Sequence, residues 1–206
     1  MNEDEQKIIR LKTPITLKGD SVTYDTIMLR EPMVDELDRS TQTAGSIYAV
    51  HAALIAMVSS VPLTLIRKLG KTDYEEAVAY LKGFDWTPPK DEQKTPQKTI
   101  ALKQPITLKG DSKTYDSLQL REPMVEELDQ SAQVDGSAYA CNAELIAQVA
   151  GVPVAVVRRM GKANYEEATA FLSGFTWAPP QSGGISETGA PTSPTSSAGD
   201  PTPSES

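Results

Sequence analysis

Gly70-Lys71-Thr72 is the first place in this chain where residue types suggest a reaction. Glycine, lysine and a hydroxyl in that order close the loop that cradles nucleotide phosphates, but that loop opens on a glycine five residues earlier. Leu65 stands there, and a second pair, Gly161-Lys162, has Val156 at the same place and Ala163 after it. A helix stop and a helix cap account for these residues without a nucleotide. Glu75-Glu76 and Glu166-Glu167 pair carboxylates, as acid–base catalysis requires. Neighbouring helix positions point about 100° apart, so these acids do not converge on one atom; they suit the positive end of a helix dipole. Arg30-Glu31 and Arg121-Glu122 read as local ion pairs or backbone contacts at a strand-to-helix corner. The chain holds one histidine, His51, and one cysteine, Cys141. A lone imidazole is a poor metal site, and a lone thiol without a neighbouring base is a poor nucleophile. No enzymatic activity, metal or cofactor is expected.

The elements that would position these residues come twice. From residue 9 to 89 the chain repeats itself at a constant offset of 91, without a gap, and about 50 of the roughly 80 aligned positions are identical. PITLKGDSVTYD recurs as PITLKGDSKTYD, and LREPMVDELD as LREPMVEELD. Alternation at Ile15, Leu17, Ile27 and Leu29 around Gly19-Asp20 predicts a β-hairpin, repeated at Ile106, Leu108, Leu118 and Leu120. Helices are expected from Pro32 to about Ser40, from Ser46 to Ser59, from Pro62 to Leu69, and from a capping box at Thr72–Glu75 to Lys82. The fold class is α+β: two tandem similar units, each a β-hairpin followed by about four short helices. The expected boundaries are a flexible N-terminus at 1–8, repeat unit 1 at 9–89, a polar linker at 90–99, repeat unit 2 at 100–180, and a Ser/Thr/Pro/Gly-rich tail at 181–206 that is too poor in apolar residues to order.

Composition narrows the partners. The 206 residues carry a net charge of -8, which argues against nucleic acid. No apolar run reaches the roughly 18 residues of a membrane span. The acidic start, MNEDEQK, is unlike a secretory signal, and the lone thiol suits a reducing cytoplasm. In the second helix Val50, Ala53 and Met57 become Cys141, Glu144 and Gln148 in the second copy, and on the hairpin Val22 and Met28 become Lys113 and Gln119. An apolar stripe whose counterpart tolerates polar residues is a candidate partner surface, or a face that packs on the second copy. Trp86 and Trp177, each beside prolines, are candidate packing anchors or partner hot spots.

The run PITL…TYD…LREPMVDELD…KTDYEEAVAYLKGF resembles the tail assembly chaperones of long-tailed bacteriophages, the E-type or Mu-like group, and does so over both copies. The family usually has one such unit; the duplication and the Ser/Pro tail depart from it. The resemblance implies a non-enzymatic protein of the host cytoplasm. It would bind the long helical tape measure protein, keep it soluble until tail tube protein replaces the chaperone, and be absent from the mature virion. Self-association is a further expectation. The alternative is a minor virion protein that uses the repeats as interaction modules.

Overall fold

The computed structural model describes residues 6–17, 22–89 and 95–176. The Gly19-Asp20 turn, Trp177 and the 181–206 tail lie outside the described residues.

Each repeat opens on a two-stranded antiparallel sheet: β1 (Lys7–Thr16) with β2 (Thr23–Leu29), and β3 (Gln97–Thr107) with β4 (Thr114–Arg121). Ile9, Leu11, Ile15, Ile27 and Leu29 are buried on one face, as are Ile100, Leu102, Ile106, Leu118 and Leu120. The opposite face is solvated: Val22, Met28, Lys113 and Gln119 are all exposed. The strands start earlier than the repeat boundaries read from the sequence. Lys7 pairs with Leu29, and Gln97, in the presumed linker, pairs with Arg121. Backbone pairing extends the ladder through polar side chains that alternation alone does not mark.

Four helices follow in each repeat: α1 (Val34–Thr41), α2 (Ile47–Ser59), α3 (Leu63–Ile66) and α4 (Lys71–Lys82), then, after the second hairpin, α5 (Val125–Ala132), α6 (Ala138–Ala150), α7 (Val154–Arg158) and α8 (Lys162–Ser173). The α+β architecture with two similar units is the one expected. Local details differ: Pro32 precedes Met33, the N-cap of α1, rather than opening the helix, and α3 ends at Ile66 rather than Leu69. The N-cap of α4 is Gly70, not Thr72, and Tyr74 N–H donates to the Gly70 carbonyl at 3.0 Å. Asp73 is buried and accepts the Lys12 N–H at 3.1 Å, which ties the helix to the hairpin. Asn164 does the same for Lys103 at 3.0 Å.

Each repeat has its own cluster of buried apolar residues, with one exchange between them. Val34, from α1 of the first repeat, belongs to the core of the second, with Ala143, Val157, Met160 and Tyr165. The two repeats thus share a joint within one compact unit.

Candidate interaction surfaces

The residues singled out for chemistry are held in structural contacts. Lys71 pairs with Glu75 at 3.5 Å and Lys7 with Glu76 at 2.9 Å. In the second repeat Lys98 pairs with Glu167 at 3.0 Å, and Glu166 accepts the Trp86 N–H at 2.7 Å. Cys141 Sγ lies 3.5 Å from the Val134 carbonyl. Among the described residues no group of three His, Cys, Asp or Glu could hold a metal ion. His51 Nδ1 meets the Tyr74 hydroxyl at 2.9 Å. Burial, and then the Lys82 charge, pull the His51 pKa below its ordinary 6.5. Burial pushes the Tyr74 hydroxyl up, with Tyr48 and Glu75 adding to it.

The strand-to-helix corner organises the joint. Arg30 grips Glu36 with both guanidinium nitrogens, at 2.8 and 2.6 Å, and donates to the Glu31 carbonyl at 3.0 Å. Glu36 also accepts the Met33 N–H at 2.9 Å, capping α1. Arg121 and Glu127 repeat this at 2.9 and 2.6 Å, and the guanidinium lowers the Glu127 pKa. The ion pair of this corner is therefore Arg30–Glu36, six residues apart, while the Glu31 carboxylate is directed elsewhere.

Glu31 reaches the second repeat. Its carboxylate accepts the Ala163 N–H at 2.8 Å and the Lys103 ammonium at 3.1 Å. Met33 forms an antiparallel bridge with Gly161: Val34 N–H donates to the Met160 carbonyl at 3.1 Å and Lys162 N–H to the Pro32 carbonyl at 3.0 Å. Asp38 accepts the Ser137 hydroxyl at 2.6 Å. Val34 N–H is one of the orphan donors at a helix start, so the bridge satisfies a group that α1 itself cannot. Lys162 adds an ion pair with Asp85. Apolar burial, charge and backbone pairing therefore coincide at one joint between a helix face of repeat 1 and a groove of repeat 2.

The stripe residues Val50, Ala53 and Met57 are half-buried on α2, while Val22 and Met28 are exposed on the outer face of the first hairpin. Trp86 is half-buried, with the Lys98 ammonium 5.1 Å from its ring centroid. It lines a groove of about 440 Å³ with Pro88, Pro89, Pro96, Phe171 and Phe175. The joint escaped sequence comparison because the residues that anchor it are mostly the same in both copies, and those of its core that differ, such as Met160 and Leu69, keep their apolar character. Differences between copies point to positions the fold releases, whereas LREPMV, Gly161 and Tyr165 are unchanged.

The family of phage tail assembly chaperone proteins, E, or 41 or 14, matches this chain twice, at residues 8–85 and 99–176. No curated protein and no solved structure matches.

Proposed function

The chain belongs to the phage tail assembly chaperone family, as a tandem pair of family units, and from that premise we propose that it binds the tape measure protein and keeps it soluble during tail assembly. It acts by binding, not catalysis, in the host cytoplasm, and yields its client to tail tube protein. Membership carried twice in one chain is the observation that supports this reading most. No helix of the described residues is long and apolar enough to cross a membrane.

The surfaces proposed for the client are the solvated hairpin face at Val22 and Met28, the α2 stripe Val50, Ala53 and Met57, and the Trp86 groove, with Trp177 as its counterpart in the second repeat. A helical client with apolar stripes is held by several modest sites more readily than by one strong site, and two linked repeats raise the effective concentration of the second. The two repeats, extended at their starts to the strands that begin at Lys7 and Gln97, are proposed as the binding units. Co-expression with the long helical tail protein tests the reading. The client is expected in the soluble fraction, bound to the chaperone, and the chaperone absent from purified particles. An insoluble client, or a chaperone retained in particles, would favour the virion-component reading. Ala53→Glu with Met57→Gln, residues the second repeat already carries at those places, should leave the fold intact and reduce client capture several-fold.

A further inference from the structure

The joint uses one face of repeat 1 and one groove of repeat 2, and leaves the matching groove and face unused. The unused face is at α5. Val34 is 1% exposed, whereas Val125, the same residue in the second copy, is 82% exposed. Met124 and Leu128 are exposed beside it. The unused groove lies on repeat 1, about 450 Å³, between α2 and α4, lined by Tyr48, Ala49, Ala52, Ile66, Leu69 and Tyr74. Its wall is already shaped: the Tyr48 and Tyr74 rings stand 5.8 Å apart, against 5.6 Å for Tyr139 and Tyr165.

We propose that a second copy of this chain docks its α5 face into the first-repeat groove, head to tail, as α1 docks on the second repeat. All but one of the residue types needed for its polar contacts are present. Glu122, Pro123, Met124, Val125, Leu128 and Asp129 are identical to Glu31, Pro32, Met33, Val34, Leu37 and Asp38. On the receiving side Lys12, Ser46, Gly70 and Lys71 repeat Lys103, Ser137, Gly161 and Lys162. Glu122 then meets Lys12 and the Thr72 N–H, Asp129 meets the Ser46 hydroxyl, and Val125 N–H meets the Leu69 carbonyl.

Gly70 is an independent pointer to the occupant. At Gly161 an added Cβ would lie 2.7 Å from the Glu31 carboxyl carbon, so the docked glutamate demands glycine there. Gly70 has φ -62, a conformation open to any residue, and its added Cβ would meet only Asp73 Oδ2, at 4.0 Å. Nothing among the described residues needs glycine at 70; an incoming Glu122 does. Charge points the same way, because Lys71 is 85% exposed while Lys162 is 12% exposed in the occupied groove. One contact is not repeated: the counterpart of Asp85, the acid that pairs with Lys162, is Thr176. The joint between molecules is thus weaker than the internal one, and it also lacks the high effective concentration of a tether.

A head-to-tail contact closes into a ring or runs on as a filament. The test uses the purified full chain alone, so it stands apart from the client reading. In sedimentation velocity the mean mass should rise with concentration. Val125→Asp spoils only the face. Gly70→Asn spoils only the groove and keeps a favoured helix N-cap. Each should raise the dissociation constant about tenfold or more, with the thermal midpoint at the lowest concentration unchanged. Mixed together, the two variants should form a one-to-one dimer and nothing larger, since each retains one intact side. Lys12→Glu should also abolish association and be rescued by mixing with Glu122→Lys. A wild type that stays monomeric at every concentration, variants that still assemble, or a mixture that stays monomeric would overturn the proposal. A monomeric wild type whose client capture is lost in Gly70→Asn would assign the groove to the client instead.

Discussion

α1 and α5 have nearly the same sequence, VDELDRST and VEELDQSA, and the same backbone start, yet they sit in opposite surroundings. α1 buries Val34, Leu37 and Asp38, whereas α5 buries only Ser131. The difference is not in the helices but in what the rest of the chain offers them. α1 meets a groove made of α6 and α7, whereas no groove among the described residues covers the matching Val125 face of α5. Burial here belongs to position in the tandem, not to the repeat itself.

Matched substitutions can break that comparison. Val34→Asp places a charge in the core of the second repeat and should cost about 3–4 kcal/mol, read by urea denaturation at low protein concentration. Val125→Asp should stay within about 0.5 kcal/mol. Equal losses at the two positions would show that α1 and α5 are equally buried in solution and that the asymmetry is wrong. Gly161→Ser pushes a side chain into the Glu31 carboxylate and should cost about 1–2 kcal/mol. Gly70→Ser meets open space and adds a better N-cap, so a gain of a few tenths of a kcal/mol is expected in the same assay.

A third pair concerns the end of the long helix. α2 ends on Ser60 with φ 56, and α6 on Gly151 with φ 63. The left-handed region burdens any residue with a Cβ. Ser60→Gly should therefore raise the thermal midpoint, by an amount worth about 0.5–1 kcal/mol, and Gly151→Ser should lower it similarly. The smallest effect is electrostatic. His51 has a lowered folded pKa, and its counterpart is Asn142. The unfolded chain then binds the proton more readily, so the stability due to neutral His51 is fully present above pH 6.5 and is lost as pH falls through the lowered folded value. Thermal midpoints measured from pH 7.5 down should fall more in the wild type than in His51→Asn. Parallel curves would remove His51 from the acid limb.

Much of each repeat is legible in its residues. Alternation at Ile15, Leu17, Ile27 and Leu29 marks the hairpin, and Pro32, Ser46 and Pro62 mark where helices begin. The strand extensions to Lys7 and Gln97 are not legible, because ladder hydrogen bonds use backbone groups that every residue carries. Arg30 reads as making a local ion pair or a backbone contact at the corner; the backbone contact forms, to the Glu31 carbonyl, while the turn into α1 brings the Glu36 carboxylate to the guanidinium and frees that of Glu31 for the joint. Of the candidate surfaces, the contrast between copies isolates Val22, Met28, Val50, Ala53 and Met57. It is blind to Val34 and Gly161, which do not vary.

The sequence by itself determines the duplication, the α+β class and the local caps, since these rest on periodicity, turn chemistry and identity over neighbouring residues. Only the tertiary structure decides which copy of an identical surface is covered. Residues 31–38 and 122–129 carry almost the same side chains, so no local pattern can separate Val34 from Val125. Their fates part because the second repeat folds within reach of the first, and its groove can be filled only once.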